Sequence, residues 1–318
     1  MSDFAEKLLF LFLDVIMPLA VGYFMRRRNL MSIGVCNLLL KMNVRVLVAI
    51  IGFGSFWLVK LDYHILWLIL LGIVSCTAIP GLISYAYARS KVPDLSDRGA
   101  YLLSVMLSNT GTLGGLCAFI AMGQLAYAYV QVIAMAQNIM TFIYCFPLAE
   151  YYRQKYTAGK AAVRFRPDWK AILISWNQIG LIAMVIGGIF NVYNIPRPAQ
   201  FDIVFNSCVH ISAWLGILPV GYLLDFSAAK KYKMLALSIM PNRYIITPII
   251  CYLTAICFTD DPLLISVAVL MGLCPVGINS TVVTQLYKLN TNIAQANFLI
   301  TTILFIFVIY PLYLLFLM

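Results

Sequence analysis

Residues 274–280 read Cys-Pro-Val-Gly-Ile-Asn-Ser, and residues 108–115 read Ser-Asn-Thr-Gly-Thr-Leu-Gly-Gly. Each segment interrupts a long apolar stretch in which a continuous helix would otherwise be expected. Helix-breaking residues are costly in lipid, because every freed backbone N–H and C=O needs a new partner. Polar, broken backbone at membrane depth is tolerated only where it is buried in protein or lines a cavity. Two such breaks, one in each half of the chain, indicate a binding site of the kind found in carriers.

The composition is that of a membrane protein. Of the 318 residues, 63% are hydrophobic and 11% are charged, whereas soluble domains carry roughly 25% charged residues. A membrane-spanning helix needs roughly 20 mainly apolar residues, and the suitable stretches alternate with short connections. Because these stretches are continuously apolar, a transmembrane β-barrel is excluded. The ten predicted spans, numbered in chain order, are 8–25, 43–59, 64–88, 100–121, 127–149, 171–190, 203–224, 234–258, 263–287 and 293–317.

The basic residues predict the orientation in the membrane. The net charge is +10, and seventeen Lys and Arg residues lie in the odd-numbered connections, six of them in 150–170. Three lie at the N-terminus and in the even-numbered connections. By the positive-inside rule the odd-numbered connections are cytoplasmic and both termini are extracytoplasmic. We therefore expect a multi-pass protein of the plasma (inner) membrane, and this placement of charge argues against a nucleic-acid partner.

The two halves of the chain share one pattern of interruptions. The breaks in spans four and nine lie at nearly the same distance from the first span of their half, as do Pro147 and Pro311. Each half has five spans, and because five is an odd number, the second half enters the membrane from the opposite side. We predict an all-α polytopic membrane protein of two inverted five-helix repeats, 1–150 and 171–318, joined by a cytoplasmic loop, 151–170. Carriers of this plan hold substrate near the midplane, where broken helices four and nine cross.

The residues of the two breaks are the candidate substrate-binding residues. Glycine lets the backbone in span four leave helical geometry, although a small-residue packing face is the alternative. In span nine a proline removes a backbone donor, and a simple kink is the alternative. The second half-helix is predicted to begin near Asn279, where free N–H groups attract a carboxylate. The candidates are Asn109, Thr110, Gly111, Gly114, Pro275, Gly277, Asn279 and Ser280.

Ionisable residues inside the spans are few, and each is a functional candidate. Arg243 in span eight is predicted either to attract an anion or to partner a helix end. Asp14 in span one is a candidate for a coupling proton, and a shallow carboxylate exposed at the outer face is the alternative. The amide of Gln137 in span five either lines the cavity or bonds between helices.

The sequence lacks the motifs of an enzyme or a metal protein. His64 and His210 show no H-E-x-x-H spacing, and no G-x-S-x-G elbow or P-loop occurs. The eight cysteines form no C-x-x-C pair, so we interpret them as small buried hydrophobes. We expect no catalytic residue, no metal and no cofactor. A receptor or channel is a further alternative, but it would need no pair of inverted breaks.

Together the two breaks resemble those of the auxin efflux carrier family. An Asn-x-Gly-x-x-Gly segment ending at Gly114 and a Pro-x-Gly-x-Asn-Ser segment starting at Pro275, followed by Tyr287, carry the resemblance. The two-by-five plan and the basic stretch after span one extend it over the whole chain. Membership would imply a sodium–proton-antiporter-like fold with a scaffold part and a transport part. It would also imply a carboxylate bound by Asn109 and residues 275–280.

Two features place the resemblance nearer the bacterial permeases than the plant exporters: the 150–170 connection is short, and span three has no internal Asp or Lys. Leu116 is a departure from the family pattern itself, because it stands where the family's proline is expected. The implied partners are a small carboxylate and the lipid bilayer. A sodium-coupled organic-anion symporter of the bile-acid-carrier type is the alternative function. The substrate, the coupling ion, the direction of transport and the oligomeric state, for which a homodimer is one option, stay open.

Overall fold

A computed structural model describes residues 3–59, 66–158, 179–224 and 226–317. This part of the chain is helical and contains no β-strand, only one isolated β-bridge. The all-α prediction is therefore confirmed. The helices, numbered in chain order, are α1 (Phe4–Arg27), α2 (Ile33–Leu58), α3 (Trp67–Lys91), α4 (Leu95–Met106), α5 (Thr110–Thr157), α6 (Ile179–Val192), α7 (Ala199–Leu223), α8 (Phe226–Phe258), α9 (Pro262–Leu273), α10 (Ile278–Leu286) and α11 (Thr291–Phe316).

Seven of the described helices are long and apolar enough to cross a membrane: α1, α2, α3, α5, α7, α8 and α11. The helices α6 and α9 are apolar but shorter. Part of predicted span six, and most of the predicted loop 151–170, lie outside the described residues. Long apolar helices in this number make the chain a multi-pass membrane protein.

Both predicted interruptions separate two helices. Predicted span four consists of α4 and the first arm of α5 (110–122), and predicted span nine consists of α9 and α10. The second arm of α5 (124–157) corresponds to predicted span five. The two arms meet at Gly123, which has φ 81° and ψ −166°. A side chain would be strained in this conformation, so glycine permits the sharp bend between the arms.

Several helices begin earlier than the apolar runs predicted. The helix α2 starts at Ile33, ten residues before predicted span two, because the Ser32 hydroxyl caps it by accepting from the Val35 N–H at 3.3 Å. Residues Lys41 and Arg45 lie on its exposed surface. Helix ends are set by backbone hydrogen bonding and capping. Hydropathy marks only the part of the helix that suits lipid.

Two pairs of helices that are distant in the sequence pack closely along each other. The first helix of the chain, α1, packs along α7, and the first helix of the second half, α6, packs along α2. Glycines allow both approaches: a methyl group at Gly22 would overlap the Leu218 carbonyl oxygen, and one at Gly187 would overlap the Phe53 carbonyl oxygen. Small residues at such contacts are typical of membrane helices. These four helices form one packed group.

The remaining helices form a second group around the breaks. The helix α8 packs along α11 and α9, and α3 packs against the second arm of α5. Both α3 and α8 contain a π-helical turn stabilised by a threonine. The Thr77 hydroxyl donates to the Gly72 carbonyl at 2.9 Å, and the Thr247 hydroxyl donates to the Asn242 carbonyl at 2.8 Å. Such turns leave carbonyls without their usual partner and are frequent at functional sites.

Candidate functional site

The two broken segments cross and hydrogen-bond to each other. The Asn109 N–H donates to the Pro275 carbonyl at 2.8 Å, and the Gly277 N–H donates to the Leu107 carbonyl at 2.7 Å. Between these bonds Ser108 and Val276 form an antiparallel bridge. Backbone groups that leave a helix in lipid need partners, and here each break supplies partners for the other. The segments that the sequence singles out are thus brought together.

Two glycines make the crossing close. A Cβ at Gly277 would lie 2.9 Å from the Ser108 carbonyl oxygen and 3.2 Å from the Asn109 nitrogen. One at Gly114 would collide with the Cys274 sulfur. The φ of Gly277 is −83°, which any residue adopts. Glycine is therefore required at this position for space and not for conformational freedom.

The neighbouring helix α11 supports the break in predicted span nine. The Thr301 hydroxyl accepts from the Val276 N–H at 3.1 Å, and the Thr301 carbonyl accepts from the Tyr244 hydroxyl at 2.6 Å. Pro275 cannot donate to the Met271 carbonyl one turn earlier, but this carbonyl accepts from the Cys274 N–H at 3.3 Å. Hydrogen bonds to α11 and at the end of α9 thus stabilise the break in predicted span nine.

Gln137 supports the other break from the second arm of α5. Its amide contacts the Ser108 hydroxyl at 2.7 Å and the Thr110 hydroxyl at 2.5 Å. With the amide oxygen turned toward Ser108, it also accepts from the Ser108 N–H at 3.1 Å. Of the two roles predicted for Gln137, the structure shows hydrogen bonding between chain segments. The Thr110 side chain is buried and engaged, so it is not free for a ligand.

Asn109 and Asn279, one in each break, have side-chain donors available for a ligand. The Asn109 side-chain oxygen accepts from the Leu113 N–H at 3.4 Å and caps the first arm of α5. Its amide nitrogen has no partner among the described residues. Asn279 is exposed in the first turn of α10. Ser280 is buried and donates to the Gly277 carbonyl at 2.8 Å. Donors for a ligand are therefore offered by the asparagines.

Both asparagines lie at helix N-termini, where free N–H groups carry partial positive charge. The first arm of α5 begins at Thr110, and α10 begins at Ile278. The prediction that the second half-helix starts near Asn279 is therefore confirmed. Gly111 is half-buried in the first turn of α5. Backbone and amide donors together can bind an anion without a permanent charge at these positions.

Arg243 lies in the π-helical turn of α8 and is 1% exposed. Its Nη2 donates to the carbonyl of Val105, near the C-terminal end of α4. Its Nε and Nη1 have no hydrogen-bond partner. Within the described ranges no carboxylate is paired with it. The sequence predicted that Arg243 either partners a helix end or attracts an anion. The structure shows the contact with the helix end, and two buried N–H donors of the guanidinium remain for an anion.

Three further polar side chains near the breaks are buried without partners. They are Thr281 on α10 and Asn297 and Thr302 on α11. Asn297 is fully buried, and both its amide oxygen and its amide nitrogen are unpaired. A buried polar group without a partner is rare and calls for a ligand, an ion or a water. These residues are not among the predicted candidates, although an asparagine within an apolar span is a detectable signal.

Asp14 is placed far from both breaks in sequence and is 5% exposed. The alternative of a shallow carboxylate exposed to water is therefore wrong. Its Oδ2 lies 2.6 Å from Nδ1 of His210 on α7. The sequence did not predict this pairing with His210, because a contact between distant helices leaves no local pattern.

A polar cluster joins the two helix groups beside the bend at Gly123. The Arg197 guanidinium pairs with Asp202 at 2.9 Å and donates to the Gln124 side chain at 2.9 Å. Gln124 in turn donates to the Asn206 amide oxygen at 2.8 Å. Burial lowers the pKa of Arg197, and the neighbouring Asp202 opposes this shift. The cluster connects the second arm of α5 with α7.

A scan against models of known protein families matches none of them, and a search of curated proteins finds no similar sequence. Fold and hydropathy define the class: an all-α, multi-pass membrane protein with several membrane-spanning helices. The structure adds a crossing of two broken helices with a buried arginine at the end of one of them.

Proposed function

We propose that the protein is a secondary transporter of a small organic anion, a carboxylate, in the plasma membrane. The substrate would bind at the crossing of the α4–α5 and α9–α10 breaks and be carried by alternating access. The observation that carries this proposal is Arg243, a buried cation with two unpaired donors at the end of α4. A charge at the centre of a spanning helix costs roughly 2.5–3.5 kcal/mol or more.

An anion is the ligand that this electrostatic arrangement favours. The helix end at Val105 carries about half a negative charge, so it balances only part of the charge of Arg243. The N-termini of the first arm of α5 and of α10 add partial positive charge. The asparagine amides donate hydrogen bonds, and carboxylate oxygens accept them. A neutral or cationic ligand would leave the arginine uncompensated.

The paired helix packing favours a carrier over a receptor or a channel. The pairs α1–α7 and α6–α2 are equivalent if the halves are inverted repeats, and so are the threonine-stabilised turns of α3 and α8. Carriers with inverted repeats alternate access by moving one helix group against the other around a fixed site. The resemblance of the two breaks to the auxin efflux carrier family, of the bacterial permease type, supports the same proposal.

A thermal-shift screen of the purified protein tests the proposal. The ligands are lactate, malonate, succinate and malate, with glucose and choline as controls, each with and without sodium and at several pH values. A ligand at 100 times its Kd stabilises the folded state by about 2.7 kcal/mol. Stabilisation by at least one carboxylate and by neither control is expected. Stabilisation by none of the carboxylates, or equally by glucose, would contradict the proposal.

Counterflow in proteoliposomes then separates a carrier from a receptor. Vesicles loaded with the stabilising carboxylate should accumulate the same radiolabelled carboxylate from outside. Arg243→Gln is the binding-deficient comparison. A sodium requirement for exchange would select the symporter alternative. Binding without exchange in wild-type vesicles would overturn the transport part of the proposal.

A further inference from the structure

Asp14 and His210 lie near the middle of two packed helices. Asp14 is the eleventh residue of the 24-residue α1, and His210 is the twelfth of the 25-residue α7. The carboxylate is 5% exposed, while about a third of the His210 side chain is exposed. Their Oδ2 and Nδ1 atoms are 2.6 Å apart. A carboxylate at this depth needs a partner, and the imidazole provides it.

Two aromatic rings from different helices enclose the imidazole. Phe10 of α1 stacks on His210 with a centroid distance of 5.3 Å and an interplanar angle of 27°. Phe119 of α5 approaches it edge-on, at 5.7 Å and 78°. Phe119 belongs to the first arm of α5, which begins at the break in predicted span four. The imidazole therefore contacts both helix groups at once.

The other charged groups on the elements packed against His210 are few. The arm 110–122 carries none. The thiols and phenols on these elements are Tyr23, Cys36, Cys117, Cys208 and Tyr222. The charged residues on α1, α2 and α7 are Glu6, Lys7, Arg26, Arg27, Lys41, Arg45, Asp14 and Asp202.

Asp14 is the charged residue within ion-pair distance of His210 in the described part of the chain. Glu6 on α1 and Asp202 on α7 are each eight residues from the pair, or roughly 12 Å along a helix. Asp202 is already paired with Arg197. Lys41 and Arg45 are exposed on α2. Asp14 is thus the partner that decides the charge of the imidazole.

We infer that Asp14 and His210 form a proton-binding site that couples proton uptake to movement between the two helix groups. In the unprotonated pair the His210 Nδ1–H donates to the Asp14 Oδ2, and the pair carries one negative charge. A proton from water then binds the free Nε2 lone pair. The product is an imidazolium–carboxylate pair of zero net charge, and no other bond forms or breaks.

Protonation changes the surroundings that the Asp14–His210 pair prefers. A net negative charge favours the arrangement in which the pair contacts water, whereas a neutral pair tolerates enclosure in a low-dielectric interior. The imidazolium also gains attraction from adjacent aromatic rings. Because Phe119 moves with the first arm of α5, enclosure of His210 is tied to the position of that arm. The inference rests on the proposed carrier function, for which it names the coupling ion.

Two measurements on the ligand-free carrier test the inference, so that they do not depend on whether a carboxylate binds. The first is carbon-13 NMR of histidine-labelled protein in lipid nanodiscs. The chain has only two histidines, and the His210 signal is the one lost in His210→Gln. It should move between its neutral and charged positions when the pH is varied across the range in which histidine side chains change charge. A signal that keeps one position throughout would overturn the inference.

The second measurement is the distance between spin labels on the two helix groups. Ile203 on α7 and Val282 on α10 are 70% and 57% exposed, and p-acetylphenylalanine labels there spare the native cysteines. The distance distribution should change over the same pH interval as the measured NMR signal of His210. Asp14→Asn and His210→Gln should each abolish this change, whereas the control Ser207→Ala should keep it. A wild-type distribution independent of pH, or a change that persists in both variants, would overturn the coupling.

Discussion

Replacing Gly277 with alanine is expected to destabilise the protein by about 3–5 kcal/mol. The added methyl group would lie 2.9 Å from the Ser108 carbonyl oxygen, and the two backbones must separate to accept it. Overpacking of this kind costs about 1–3 kcal/mol. The two crossing hydrogen bonds, 2.8 and 2.7 Å long, contribute about 1 kcal/mol each. Since both bonds would be stretched, their loss adds to the steric cost.

Unfolding by SDS in mixed micelles, followed by circular dichroism, measures this change. Gly111→Ala is the matched control, because its methyl group would lie at an ordinary 3.6 Å from the Ala134 Cβ. The control should unfold within about 1 kcal/mol of the wild type. If Gly277→Ala unfolds at the same SDS fraction as the wild type, the close backbone crossing is refuted.

Three further predictions concern charge and topology. Arg243→Gln should weaken carboxylate binding by at least tenfold while leaving a folded fraction in fluorescence size-exclusion; unchanged affinity with a lower yield would show a purely structural role. Arg197→Gln removes the contacts to Asp202 and Gln124. The start of the second arm of α5 should then exchange its backbone amide hydrogens faster than in the wild type. Equal exchange rates in the variant and the wild type would contradict the proposed connection between this arm and α7. In a cysteine-free background, a membrane-impermeant thiol reagent should label intact cells at a cysteine placed near 195 and not near 160, and labelling near 160 would reverse the predicted orientation.

The all-α, multi-pass character of the fold was predictable because its determinants are local. Apolar runs identify the spans, and Pro275 and the glycines around Gly114 mark where the helices break. The helix starts were less predictable, since capping by Ser32 and the bend at Gly123 depend on backbone geometry. Matching interruptions also led to the prediction that the breaks meet, and their hydrogen bonds show that they do.

The site was predictable only in part, because its contacts join residues far apart in the chain. Nothing around Gln137 indicates that it supports Ser108, and nothing around His210 indicates that it faces Asp14. These pairings are set by helix packing, which a single sequence does not show. The importance of Gly277 was also not visible in the sequence. Its requirement for space follows from the close approach of the Ser108–Asn109 backbone, and not from its own backbone conformation.

The central claim is that Asn109 and Asn279 hold a carboxylate where the broken helices cross. Isothermal titration of the carboxylate that stabilises the wild-type protein tests it most directly, with Asn109→Ala, Asn279→Ala and, as the exposed-asparagine control, Asn292→Ala. Each crossing variant should lose about 10- to 150-fold in affinity, equivalent to about 1.5–3 kcal/mol for a hydrogen bond to a charged group. The control should bind like the wild type. Unaltered affinity in both crossing variants would contradict the claim.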